Sequence, residues 1–212
     1  TDSPATMGQP GTREGRVWPS WMVEDLKGSG IPVDAAEQAG FYPVDQSELR
    51  DLLGFDIPEP VEAYAIPFLD PVTAEPMLTS AGHPFVRVKF EHPVQIGDSK
   101  AKYASPKDSG NRAYIPKLAH EAAERGERLV ITEGEKKALS ATLHGIPTIG
   151  LTGVWGFWDA ATDDLLADLH PYFQAGRELV FALDSDAASN HGIAHAVHRL
   201  NQCAALRGVA LR

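Results

Sequence analysis

The chain of 212 residues contains one cysteine, Cys203. A single thiol excludes an intramolecular disulfide and any zinc module built on cysteines, and it suits a reducing, cytoplasmic setting. No apolar run approaches the roughly 20 residues a membrane-crossing helix needs. The opening TDSPATMGQPGTREG lacks the apolar core of a signal peptide, so residues 1–17 read as a flexible leader. A Gly-x-Ser-x-Gly elbow and a Walker-type lysine loop are also missing.

Positive charge is scarce as well. Nineteen Lys and Arg face 29 Asp and Glu, for a net charge of −10. That balance excludes a whole-surface nucleic-acid binder, because neutralising phosphates requires cations. The scarcity is uneven, however. Residues 85–117 carry Arg87, Lys89, Lys100, Lys102, Lys107, Arg112 and Lys117 against Glu91, Asp98 and Asp108, a local charge of +4. Such a patch fits local contact with a polyanion, and charge alone allows a solvated β-rich face equally well.

What is present sorts by texture into three regions after the leader. Residues 18–60 carry short helical patterns: WMVEDLKGSG ends in glycines, PVDAAEQAG stops at Gly40, and DQSELRDLLG has Asp45 or Ser47 as its cap. Residues 61–117 are dense in Pro and Gly and hold alternating runs. In FVRVKFEH, apolar Phe85, Val86, Val88 and Phe90 interleave with Arg87 and Lys89, predicting a half-buried strand with a basic face in a small, mostly antiparallel β subdomain. Residues 118–212 alternate helix and strand. LAHEAAERG is helical, RLVITEG a strand, EKKALSATLHG a helix, IPTIGL a strand, ATDDLLADLHPYF a helix, RELVFALD a strand and NHGIAHAVHRLNQCAALRG a long helix, with VALR opening another strand. Continuous apolar strands alternating with helices imply an α/β fold, a parallel sheet covered on both faces.

Ligands of open α/β sheets bind beyond the carboxyl ends of the strands. Two strands finish in acid there: VITEGE at Glu133, and FALDSD at Asp184 and Asp186. In an extended segment Asp184 and Asp186 leave on one face, about 6.6 Å apart at Cα. Two carboxylates about 5 Å apart repel by roughly 3 kcal/mol at an effective dielectric near 20. A hard divalent cation, Mg2+ or Mn2+, relieves that conflict while keeping sites for water and phosphate. Gly134 allows close backbone approach after the acid, and the helix that follows offers free N–H groups to an anion, with Lys136 and Lys137 adding charge. A plainer account treats Glu135 and Asp186 as acids capping helix N-termini.

At these residues the chain resembles a known family. ITEGEKKALSA, followed about fifty residues later by VFALDSD, is similar to the Toprim fold, the Rossmann-like catalytic module of bacterial-type primases, type IA and II topoisomerases and some nucleases. GLTGVWGFWD with DSDAASNHGIAHAVHRL resembles a Toprim-like variant in replication proteins of plasmids, phages and integrative elements, where it often precedes a helicase domain. LKGSGIP, AYAIPF and KYASPKDSGNRAYIP resemble the segment ahead of Toprim in the same proteins. The resemblance implies that Glu133, Asp184 and Asp186 bind metal. It also implies a primase-type nucleotidyltransferase acting on single-stranded DNA and NTPs, with a fused or associated helicase. The chain departs from the pattern in three places: one cysteine cannot build the zinc module that bacterial replicative primases carry, AASNH intervenes between Asp-x-Asp and Gly192, and a further acid-bearing strand would fall beyond Arg212 or be absent. A Toprim nuclease and a non-catalytic DNA-binding or helicase-docking module are the alternatives. No tyrosine is assignable as a strand-cleaving nucleophile.

Three further groups invite a reading. Lys100, Lys102, Tyr103, Lys107, Arg112 and Tyr114 mix cations with aromatics, the chemistry of single-strand binding, or else form a surface hairpin with buried tyrosines. His191, His195 and His198 share one helical face, with no further zinc ligand evident beside them. Trp155, Phe157 and Trp158 follow a strand at the expected active edge, where covering the sheet end weighs ahead of stacking on a base.

Overall fold

The structure, a computed structural model, describes residues 16–183 and 191–212. Two sheets organise it. The first holds β1 (Tyr42–Val44), β2 (Ala63–Pro67), β3 (Val86–Ile96) and β4 (Ser99–Ala104) in that order, antiparallel throughout. Around it lie helices α1 (Ser20–Gly28), α2 (Val33–Gln38) and α3 (Gln46–Leu53). Prolines at 19 and 32 precede α1 and α2, where a fixed φ suits helix entry and a missing N–H costs little. For α3 the cap is Asp45: Glu48 reaches back to the Asp45 amide at 2.9 Å, and Gly54 ends the helix in the left-handed conformation at φ 74°.

The second sheet has the order β11 (Ala210–Leu211), β10 (Glu178–Ala182), β6 (Leu129–Glu133), β7 (Thr148–Leu151) and β5 (Ala113–Tyr114). The first four strands are parallel, and β5 runs antiparallel to β7. Helix α5 (Glu135–Leu143) returns between β6 and β7, and α6 (His191–Leu206) between β10 and β11; α4 (Lys117–Glu124) leads into β6. The alternation read from the sequence is realised at α4, β6, α5, β7, β10, α6 and β11. Gly150 in β7 faces α5 so closely that a Cβ there would stand 2.9 Å from the Gly134 carbonyl and 3.0 Å from Ala138 Cβ. Ile149 and Leu151 join α6 residues Ala196, Leu200, Cys203 and Ala204 in one core.

One stretch departs from its expected helix. ATDDLLADLHPYF forms β9 (Asp164–Leu165), paired with β8 (Trp158–Asp159), followed by a 3-10 turn over Ala167–Leu169. Asp163 takes φ +53°, which no α-helix allows, and the Asp164 carboxylate is held by Arg207 at 2.7 and 2.9 Å. Leu165, Leu166, Leu169, Tyr172 and Phe173 are all buried, so the apolar spacing serves a folded-back loop. No described helix is long and apolar enough to cross a membrane.

Candidate active-site cleft

One of the core clusters explains where the cleft lies. Met22, Leu26, Ile31 and Ala36 of the N-terminal helices pack with Tyr64, Ile66, Phe68 and Phe85 and with Tyr114, Ala138 and Leu139, so α5 docks on one face of the first sheet. Beyond this apolar contact that face becomes polar. Arg87 and Lys89 of β3 and Tyr103 of β4 lie there, with Lys89 directly opposite Tyr103. The basic face read from the alternation exists, but it is turned inward: Lys89 is 8% exposed.

Between this face and the start of α5 opens a cleft of about 740 Å3. Glu133, Gly134, Glu135, Lys136, Lys137, Thr152 and Gly153 line one side, and Arg87 and Tyr103 line the other. Glu133 is half-buried at the carboxyl end of β6, opposite Leu151. Gly134 is needed for a different reason than expected: it adopts φ +99°, and nothing stands within 4 Å of the position a Cβ would take. The positive φ turns the chain from strand into α5, and the close backbone approach occurs instead at Gly150.

The second acid of Glu-Gly-Glu has its own partner. Glu135 is 3% exposed, and its Oε1 lies 3.4 Å from Arg87 Nε, an ion pair between the two sheets' territories. Burial pushes the Glu135 carboxyl up, with Arg87 pulling it back. Arg87 also donates to Ser105 Oγ at 3.2 Å and lies 5.4 Å from the centre of the Tyr103 ring. Lys136 Nζ donates to Asp25 Oδ2 at 2.7 Å, and the Tyr64 hydroxyl donates to the same oxygen at 2.7 Å. Burial works to raise Asp25, yet the hydrogen bonds from Lys136 and Tyr64 hold it below the ordinary carboxylate range. Lys89 Nζ donates to the Phe90 carbonyl at 2.7 Å, and burial pushes its amine down.

The residues expected at the site are thus distributed. Glu133, Lys136, Lys137 and Tyr103 meet at the cleft, with the Lys136 charge answered by Asp25. Lys100 and Lys102 are exposed on β4, the edge strand of the first sheet, and Lys107 is exposed in the loop after it. Arg112 is tied within the fold, donating to Asp168 Oδ1 at 2.7 Å and to the Leu78 carbonyl. Asp184 and Asp186 lie outside the described residues; β10, which leads toward them, runs parallel beside β6 with Ala182 paired to Thr132. Among the described residues no group of three or more His, Cys, Asp or Glu is placed to hold a metal. Sequence alone puts Arg87 on a basic strand face and reads Glu135 as a helix-capping acid, and it does not single out Asp25; the Arg87–Glu135 and Lys136–Asp25 pairs join positions remote in the chain.

A family model described as a domain of unknown function, DUF3854, matches residues 122–211. Among curated proteins none matches. Among solved structures the chain is similar to the Aquifex aeolicus primase, as its zinc-binding and RNA polymerase domains, with TM-score 0.56 and 17% identity. That likeness covers 91% of this chain and 49% of the other, so the chain spans about half the length of that primase structure. It is also similar to the RNA polymerase domain of Mycobacterium tuberculosis primase DnaG, with TM-score 0.50 and 13% identity over 92% of this chain and 69% of the other. The fold of this chain, antiparallel sheet and α/β sheet together, is primase-like.

Proposed function

We propose that this chain is the polymerase portion of a Toprim-type primase, transferring nucleotides to make primers on single-stranded DNA. The observation that carries the reading is the position of Glu133 on a primase-like fold. It stands at the carboxyl end of a parallel strand, in a cleft whose opposite wall is cationic. Carboxylate-only donors suit a hard divalent ion, so Glu133, Asp184 and Asp186 would hold Mg2+ or Mn2+. Bound there, the metal supplies charge neutralisation for the attacking and leaving oxygens.

The chain's own residues do the rest. Arg87 and Lys137 face the cleft where a triphosphate would lie, and the first turn of α5 turns its N–H groups toward the same anion. Glu135 keeps the Arg87 guanidinium at the cleft wall, with Tyr103 beneath it. Lys102 on the edge strand is exposed to meet the template backbone. The sequence resemblance of GLTGVWGFWD and DSDAASNHGIAHAVHRL supports a setting in mobile-element replication, beside a fused or associated helicase.

Primer synthesis from labelled NTPs on single-stranded DNA tests the reading. Wild type is expected to extend dinucleotide products with Mg2+ or Mn2+, and Glu133→Gln to lose at least about 100-fold in rate, on the scale of removing a group that stabilises the transition state. The far-ultraviolet circular dichroism of the variant should stay unchanged. Plasmid nicking without primer synthesis would replace this reading with a nuclease. Equal activity in wild type and Glu133→Gln would remove Glu133 from the site.

A further inference from the structure

The loop GVWGFWD stands outside the proposed chemistry, and its three aromatic residues have separate tasks. Phe157 is 0% exposed and belongs to the core, so it covers the sheet end. Trp158 is half-buried, with the Arg199 guanidinium 4.3 Å from its ring centre. Trp155 is left 37% exposed, the one aromatic among the exposed large apolar side chains of the described residues. Its ring stacks on Phe157 at 5.8 Å and 21°, and the His195 ring of α6 meets it edgewise at 5.4 Å and 78°.

This tryptophan is held in place. Gly156 N donates to the Gly153 carbonyl at 2.8 Å and Trp158 N to the Trp155 carbonyl at 3.0 Å. The Asn111 amide reaches the carbonyls of Trp155 and Trp158 at 3.4 and 3.1 Å. A Cβ on Gly156 would come within 2.7 Å of the Thr152 amide, so the loop is drawn tight on itself. A ring ordered by its own fold meets a ligand without a further ordering cost. The loop also begins at the cleft: Thr152 and Gly153 line it, and Leu151 just before them pairs with Glu133. The buried Thr152 hydroxyl has no hydrogen-bond partner among the described residues.

We propose that Trp155, flanked by His195, is a stacking shelf for one unpaired base of the DNA strand where it passes the cleft mouth. The inference rests on the single-stranded substrate of the proposed function. A flat, exposed, rigidly backed indole beside an imidazole suits a nucleobase, since every base presents a π-face whatever its sequence. An aliphatic partner surface fits less well, because the side chain facing Trp155 from α6 is a histidine and Arg199 follows one turn later.

The test is binding of a fluorescein-labelled oligo(dT) by anisotropy at low salt, with tryptophan emission read in parallel. Trp155→Ala is expected to weaken binding about 5-fold or more, following base–aromatic stacking of ~1–3 kcal/mol, and Trp155→Phe to keep most of the affinity. An abasic strand of equal length should bind wild type and Trp155→Ala alike, a difference that loss of structure would not produce. Oligo(dT) should quench wild-type emission but leave Trp155→Phe emission nearly unchanged. Equal oligo(dT) affinity in wild type and Trp155→Ala overturns the shelf and leaves the primase reading standing. Failure of wild type to bind any single strand overturns that reading and the shelf with it.

Discussion

At the scale of single residues, the buried polar layer between the two sheets distinguishes charges that hold the fold from charges left to meet substrate. Asp25 is the clearest of the first kind. It receives hydrogen bonds from Lys136 and Tyr64, and these hold its carboxyl below its ordinary value of 3.8. A carboxylate whose folded value is depressed contributes stability that is complete above its unfolded value and is lost as pH falls through the folded one. Asp25→Asn is therefore expected to lose about 2 kcal/mol at pH 7, the scale of hydrogen bonds to a charged group. The gap from wild type should close as pH drops below 3.8. Urea unfolding from pH 7 to pH 2.5 reads this directly; a gap that stays constant would mean that the ionised form contributes nothing.

At the scale of elements, the basic segment divides in the same way. Arg112 precedes β5 and fastens it to the 3-10 turn, because Asp168, 6% exposed at its side chain, takes both the Arg112 guanidinium and the Ala113 amide. Lys102 lies exposed on the edge strand β4. Arg112→Ala leaves Asp168 buried without its cation and should lower unfolding free energy by about 3 kcal/mol. It should leave the salt dependence of single-strand binding unchanged. Lys102→Ala should do the reverse, keeping stability and reducing the slope of log affinity against log salt by about 0.7, one phosphate contact. Sequence composition treats both cations alike; only their acceptors separate them. The elements themselves were largely legible. Alternation gave β3, the glycines at 40, 126 and 145 marked helix ends, and apolar runs bounded by helices gave the parallel strands. What escaped depended on partners remote in the chain. Arg207 clamps Asp164 and so turns an apparent helix into β9, and β1 and β5 are two or three residues long, stabilised by the sheets they join. The carboxyl-edge position of Glu133 was legible from VITEGE, whereas the pairing of Glu135 with Arg87 was not, because 48 residues separate them.

For the molecule as a whole, the position of the cleft follows from a core shared by both sheets. Phe68 follows β2 and is 0% exposed, with its ring edge-on to Phe85 at 4.7 Å and to Tyr114 of β5 at 5.4 Å. Tyr114 belongs to the α/β sheet, and Ala138 and Leu139 of α5 complete the same cluster. The two walls of the cleft are thereby packed into one interior rather than hung on a linker, and an interior packed at crystal-like density transmits a defect to both sides. Phe68→Ala is expected to cost about 3–5 kcal/mol through lost transfer energy and the cavity left behind. Because the cluster spans both sheets, that cost should appear as one earlier transition, with Trp18 and Trp21 on the first side and Trp155 and Trp158 on the second unfolding together. Tryptophan emission and circular dichroism followed through a denaturant series should give coincident midpoints in wild type and variant. Two separated midpoints, with only the first shifted by Phe68→Ala, would mean that each sheet is stable alone. The arginine wall would then be free to move relative to Glu133, and the cleft would owe its shape to its substrate instead of to the fold.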